Sequence, residues 1–475
     1  MKDDLAEAAV TPDLHRFYGL IGWQLAWSPQ NKAALAEALQ ERRRHGLDRM
    51  PFDMSLEDAT PAQRDVGLTA LALSYAAALS RGATDPAELY DVYTIDRPQR
   101  DLVQELAVAV RTGRVGSWLD GLAPHTAAYE RLSRTYVELT DGPLPERDKI
   151  QADGLIKPDE TDPRLPAIRD ALRDMGYLPA VQFRQVAATD EDEDAYGPDD
   201  LQAIKRLQAD YRLKIDGVVG PDTLAVINMG PQEKARMLAV AMERLRWLVR
   251  RPPPVRIDVN TATAELVYYV DDRPVDHRKV VVGRPGKETP QLETEVFRLV
   301  ANPTWTVPPS IVRTEMASRG PEYFQARNLR WRGGRLVQQA GPGNALGLVK
   351  LDMTDRHQIY LHDTPSKRLF GENQRQRSHG CVRVQGALGF ASLLARDEGV
   401  EQDWSQARAS GPQSFVDLPS RIPVRLIYHD VVVDGQGAIR YGIDPYGWDE
   451  PVARALGFGK DREDEFHVQL ATGDD

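Results

Sequence analysis

Ile359-Tyr360-Leu361-His362-Asp363-Thr364-Pro365, followed by Ser378-His379-Gly380-Cys381-Val382-Arg383-Val384, is the stretch on which the reading of this chain turns. The first run alternates like a strand and stops at a turn that Pro365 helps to impose. Alternation puts Tyr360 and His362 on one face and the apolar Ile359 and Leu361 on the other, so His362 sits at a strand end facing away from the core. The second run is a polar loop that presents Cys381 just before a helix pattern from about Ala387 to Ala395. Cys381 is the only cysteine, so no intramolecular disulfide exists. A lone thiol is most often a small buried hydrophobe; one flanked by His and Gly is also a candidate nucleophile.

Working outward, β-branched or alternating runs surround this stretch at Val255–Val259, Glu265–Val270, Val275–Val282, Phe297–Val300, Leu348–Leu351, Gln358–Leu361 and Val424–Tyr428. They predict a mainly β domain over 255–450. Between about 308 and 347 the pattern turns mixed, with a short helix over Ile311–Ser318 and a turn over Trp331–Gly334, and reads as an insertion or lid. Upstream, a helix over Glu233–Val249 and the stiff Pro252-Pro253-Pro254 make a linking segment, 231–254. Residues 165–228 form a compact unit of three short helices, in which Gly217 suits a turn and Pro221 a first helical position. Residues 1–150 are helical in period and end near Gly142-Pro143-Leu144-Pro145. Residues 451–475 read as a polar tail. The fold class is therefore multi-domain α+β, in keeping with a length of 475 residues, too great for one core.

The net charge of −11 argues against a nucleic-acid partner, which needs clustered cations on a basic domain. Arg42-Arg43-Arg44 and Arg250-Arg251 read as solvated helix ends, and the acidic runs at 190–194 and 461–465 as an exposed loop and tail. No window approaches the ~18 apolar residues that span a bilayer. The segment after Met1 lacks the basic and apolar regions of a secretory signal, so any such peptide is expected to have been removed. Neither His-Glu-x-x-His nor Cys-x-x-Cys occurs, and the glycine pairs at Gly283/Gly286 and Gly341/Gly343 lack a Walker lysine; no metal or cofactor is expected.

Ser-His-Gly-Cys-x-Arg, preceded at this spacing by Tyr-x-His-Asp-Thr-Pro, resembles the catalytic motif of the YkuD-type L,D-transpeptidases. Its wording is closest to the large proteobacterial branch with a helical scaffold, as is Asn302-Pro303-x-Trp305-x-Val307-Pro308-Pro309. Gly176-Tyr177, Gln208 and Asp216 to Thr223 are similar to the peptidoglycan-binding type 1 domain. The resemblance implies a helical scaffold domain, a small peptidoglycan-binding domain and a mainly β catalytic domain with a lid. It implies periplasmic exposure, peptidoglycan stem peptides and glycan as partners, and acylation of Cys381 by carbapenems. It assigns His362 as base and His379, two residues from the nucleophile, to shaping the pocket with Ser378. It gives the backbone carbonyl of Asp363 the task of orienting the imidazole, a role in which the Asp363 side chain need not matter.

The residue types suit that chemistry independently. A thiol of pKa about 8.5 is only a few per cent ionised at neutral pH, and an imidazole can raise that fraction or take the proton during attack. Gly380 lets the backbone approach a scissile carbonyl, so the amides around Gly380 and Cys381 can donate to an oxyanion. Arg383 fits either a carboxylate of the substrate or a surface ion pair. Tyr360 fits the pocket wall or packing beneath the lid. The residues themselves support only thiol acyl transfer; with the substrates that the resemblance implies, the leading expectation is transfer from a thioester to an amine, cross-linking third stem residues. The alternatives are water as acceptor, making an L,D-carboxypeptidase or cross-link hydrolase, and a wall-binding scaffold without catalysis.

Overall fold

The computed structural model describes residues 1–52, 59–142, 148–179, 194–211 and 213–459. The acidic run before Asp194, the tail at 461–465 and Pro143-Leu144-Pro145 lie outside them. No helix among the described residues is long and apolar enough to cross a membrane.

The described residues up to 142 are mainly helical, and their sequence states where the helices begin. Thr11-Pro12, Ser28-Pro29 and Thr60-Pro61 each place a hydroxyl cap before proline at the first helical position, and Asp101 and Thr126 cap two more helices. The helix Pro231–Trp247, expected to be a linker, is the hub of this domain. Residues Met237 to Arg244 are all buried, so it is enclosed on every side. Its three buried charges are paired. Glu243 accepts from Thr84 N–H (2.8 Å) and hydroxyl (2.7 Å) and from Arg246 (2.6 Å), while Arg246 also donates to the Tyr129 hydroxyl (2.7 Å). Arg250 is likewise no solvated helix end: it is turned onto the Ser80 and Leu248 carbonyls, at 2.6 and 2.9 Å.

Residues beyond 450 are not simply a polar tail. The segment 428–459 leaves the sheet, forms the hairpin Val431–Val433/Ile439–Tyr441 and ends in the helix Asp449–Ala455, with Val452, Ala453 and Leu456 in the same core as the hub. Arg244 ties it down through Asp430 (3.0 Å) and Asp449 (2.5 Å). Burial of these facing carboxylates pushes Asp430 well above the usual carboxylate range.

The module at 165–228 is organised by Gln208. Its carbonyl accepts from the N–H groups of Asp216 (3.1 Å) and Gly217 (2.9 Å), and its amide donates to the Val218 carbonyl (3.0 Å). Gly217 is at φ +75°, and a Cβ there would lie 2.2 Å from Leu201. The motif residues thus build the turn. The module also touches the sheet domain, where Gln374 donates to Asp222 at 2.8 Å.

The mainly β domain is a closed mixed sheet. Its strands are β1 (Arg256–Asn260), β2 (Glu265–Val270), β3 (Arg273–Gly283), β4 (Leu292–Ala301), β8 (Val349–Met353), β9 (Leu361–His362), β11 (Val382–Val384) and β12 (Ser414–Ile427). The order β3-β11-β9-β8-β4-β12-β1-β2 returns to β3, and β10 (Gln376–Ser378) joins the far end of β3. Closure removes all but short edges. The insertion has its own sheet, β5 (Trp305–Thr306), β7 (Arg335–Gln338) and β6 (Leu329–Arg332), over a small core of Val307, Met316, Leu329 and Leu336. The expected turn at Trp331–Gly334 narrows to Gly333-Gly334, both at positive φ; Trp331 belongs to β6.

Candidate active site

Two short strands place the reactive groups. β9 and β11 run parallel with Leu361 beside Val382 and His362 beside Arg383. Leu361 and Val382 are fully buried in the core, so His362, Arg383, Tyr360 and Cys381 share the opposite face. β9 is only two residues long because Gln358 adopts φ +58° and breaks the expected strand before it. The break turns the Gln358 carbonyl toward the thiol, which donates to it at 3.8 Å.

His362 is buried, with Nδ1 2.5 Å from the Asp363 carbonyl oxygen. That contact orients the ring and leaves Nε2 as the nitrogen available to act as base. Burial, helped by the nearby Arg383 charge, drives the imidazole down to about 3. Burial also pushes the Cys381 thiol up, against the opposing pull of the Tyr360 N–H and phenol. The pair is therefore neutral at rest, and the proton moves during attack.

The Asp363 side chain, which the orienting role does not need, has contacts of its own. It is buried, accepts from Leu348 N–H (3.0 Å), is bonded by Lys367, and packs on Gly347, where a Cβ would lie 2.3 Å from its oxygen. It thereby joins the base to the end of the insertion.

Ser378, expected to face substrate, is buried, and its hydroxyl is used within its own loop. It donates to the Cys381 carbonyl (2.6 Å) and accepts from Gly380 N–H (3.1 Å). The Gly380 amide is thus occupied, which narrows the expected oxyanion donors to Cys381 N–H, unpartnered among the described residues. Gly380 itself is at φ +118°, a conformation that favours glycine. His379 points elsewhere: its Nε2 lies 2.6 Å from Glu315 of the insertion, so it meets the lid and not the thiol. Tyr360 packs edge-on to His362 at 5.5 Å. Arg383 is half-buried and has no ion pair among the described residues, and its Nε has no hydrogen-bond partner there. This favours the carboxylate-binding alternative over the surface ion pair.

Lys350 is a site residue that sequence reasoning missed. It lies beside His362 across β8–β9, 2.6 Å from Asp352 and 4.9 Å from the Tyr360 ring centre. Its signal was the period-two pattern of β8, which did not say which strand would lie alongside. Among the described residues no cluster of three or more His, Cys, Asp or Glu could hold a metal.

Segments of the chain are similar to known proteins. Residues 254–401 match the model of the L,D-transpeptidase (YkuD) catalytic domain, 12–135 a scaffold domain, and 161–227 the family described as "Putative peptidoglycan binding domain". A curated protein of Haemophilus influenzae, "Putative L,D-transpeptidase", is 28% identical over 224 residues, 41% of this chain. The chain spans 45% of that relative's length. Among solved structures, the L,D-transpeptidase of Mycobacterium smegmatis is 13% identical over 36% of this chain and 58% of its own, with a TM-score of 0.21. That of Stackebrandtia nassauensis is 11% identical over 60% and 97%, with a TM-score of 0.22. By the family models, three successive segments of the chain resemble a scaffold domain, a peptidoglycan-binding domain and a YkuD-type L,D-transpeptidase catalytic domain.

Proposed function

We propose that this protein is a periplasmic L,D-transpeptidase that joins peptidoglycan stem peptides through a thioester on Cys381. The observation that carries the reading is that His362, at the end of β9 and oriented by the Asp363 carbonyl, and Cys381, just before β11, lie on one face of the paired strands, where burial favours the neutral imidazole. The thiol proton passes to His362 Nε2 as sulfur attacks the carbonyl of the third stem residue. His362 then returns that proton to the leaving amine of the terminal D-alanine, and the thioester remains. A side-chain amine of a second stem attacks the thioester, gives its proton to His362, and expels the sulfur, which regains a proton. The product is an amide between two third residues. Arg383, charged and unpaired, receives a stem carboxylate. Carbapenems would acylate the same sulfur.

The test is incubation of the full chain with purified disaccharide-tetrapeptide, followed by mass analysis. Dimers that have lost one D-alanine are expected, and Cys381→Ala should form neither dimers nor a carbapenem adduct while keeping its fold. Tripeptide monomers alone would assign water as the acceptor and make the protein a carboxypeptidase. Turnover by Cys381→Ala would refute the mechanism.

A further inference from the structure

We infer that Thr289 is a positioning residue for acyl transfer: its hydroxyl aims the Cys381 N–H at the oxyanion that forms when sulfur attacks. The inference rests on the thiol acyl-transfer reading above and adds a residue outside the family motif.

The Gly380 carbonyl and the Cys381 N–H are the two ends of one planar peptide unit, so holding one end aims the other. Thr289, fully buried, donates its hydroxyl to the Gly380 carbonyl at 2.7 Å and accepts from Gly283 N–H at 2.9 Å. Its one donor is committed to that plane. The adjoining units are held by Ser378, through Gly380 N–H (3.1 Å) and the Cys381 carbonyl (2.6 Å). Among the described residues every polar backbone group of Gly380 and Cys381 therefore has a partner except the Cys381 N–H. That N–H belongs to the partly exposed nucleophile itself and is left to donate to an oxygen of the substrate. In the attack, the S–C bond forms, the carbonyl π pair moves onto oxygen, and the thiol proton goes to His362. The Cys381 N–H then meets a full negative charge. The hydroxyl bond on the Gly380 oxygen also polarises the same peptide and makes that N–H a better donor.

Thr289 is seated from outside the region matched by the catalytic family. Tyr446, in the segment 428–459, donates to the Gly283 carbonyl at 2.6 Å and stacks on Tyr428 at 5.4 Å; Arg244 of the hub helix lies 4.9 Å from the Tyr428 ring centre. The nucleophile loop is thus buttressed through Thr289 and Gly283 by the segment 428–459.

The experiment compares two reactions of Cys381 in the full chain: acylation by a carbapenem, which forms an oxyanion, and alkylation by iodoacetamide, which forms none. For Thr289→Val the limiting acylation rate should fall about 10- to 100-fold, with half-saturation and alkylation within about twofold of wild type. Thr289→Ser should restore most of the acylation. Tyr446→Phe should show a smaller loss of the same acyl-specific kind, and it carries the test if Thr289→Val does not fold. Equal slowing of both reactions would assign Thr289 to holding the fold or the thiol, and unchanged acylation would remove its role; either overturns the inference. A wild-type protein that is alkylated but never acylated would overturn the acyl-transfer reading, and this inference with it.

Discussion

At the scale of residues, the neutral thiol–imidazole pair decides how the reaction responds to pH. His362 is held near 3, below the ordinary histidine value of about 6.5, because burial penalises its cation and Arg383 repels it. It therefore stays unprotonated, and able to accept a proton, through the mildly acid range. Carbapenem acylation is expected to show no acid limb near pH 6.5, measured as the second-order rate from about pH 4.5 to 8. Iodoacetamide labelling, which needs the thiolate, should climb steadily with pH in the same range because burial raises the thiol. A level labelling rate across that range would reveal a thiolate–imidazolium pair and contradict this account.

At the scale of elements, the insertion differs in charge from the rest of the chain. Arg313, Arg319, Arg327, Arg330, Arg332 and Arg335 face only Glu315 and Glu322 within residues 308–347, in a protein of net charge −11. None of the six has an ion pair among the described residues, and Arg330, Arg332 and Arg335 stand exposed around Trp331. Because Glu315 meets His379 beside the nucleophile, this cationic patch is joined to the site. The half-saturation concentration for an anionic stem peptide is expected to rise with salt, and Arg330→Glu/Arg332→Glu should raise it several-fold at low salt with little change in turnover. Steady-state kinetics at two ionic strengths check this, and insensitivity to both changes would deny the patch a part in substrate capture.

At the scale of the whole molecule, the buried His362 and His429 and the half-buried His45 lie in the site, the joint between the domains and the helical domain, each held near 3 by desolvation and nearby arginines. Folded values below the unfolded one mean that the unfolded chain binds more protons once pH falls below about 6.5. Their stabilising contribution is complete above that value and is lost as pH falls toward 3. At pH 5 each is expected to remove up to about 2 kcal/mol. Chemical denaturation at pH 7 and pH 5 measures the change. Stability that does not fall between them would show these side chains to be solvated or paired in the folded state.

The sequence by itself determined the parts whose causes are local. Hydroxyl–proline caps start helices, alternation marks the strands around His362, Gly217 marks its turn, and the two motif runs designate Cys381, His362 and the Asp363 carbonyl. Only the tertiary structure decided which groups became neighbours. Lys350 reaches the site because β8 pairs with β9, and Thr289, in the loop between β3 and β4, because its hydroxyl bonds the Gly380 carbonyl far away in sequence; nothing in their own surroundings announces either contact. The helix at 231–247 read as a linker because it leads into Pro252-Pro253-Pro254; it is a hub because Asp430, Asp449, Thr84 and Tyr129 arrive from remote segments to satisfy its buried charges. Residues 451–459 became part of the core for the same reason: period and composition report which face of an element is apolar, whereas long-range packing decides what covers it and which buried charge is paired.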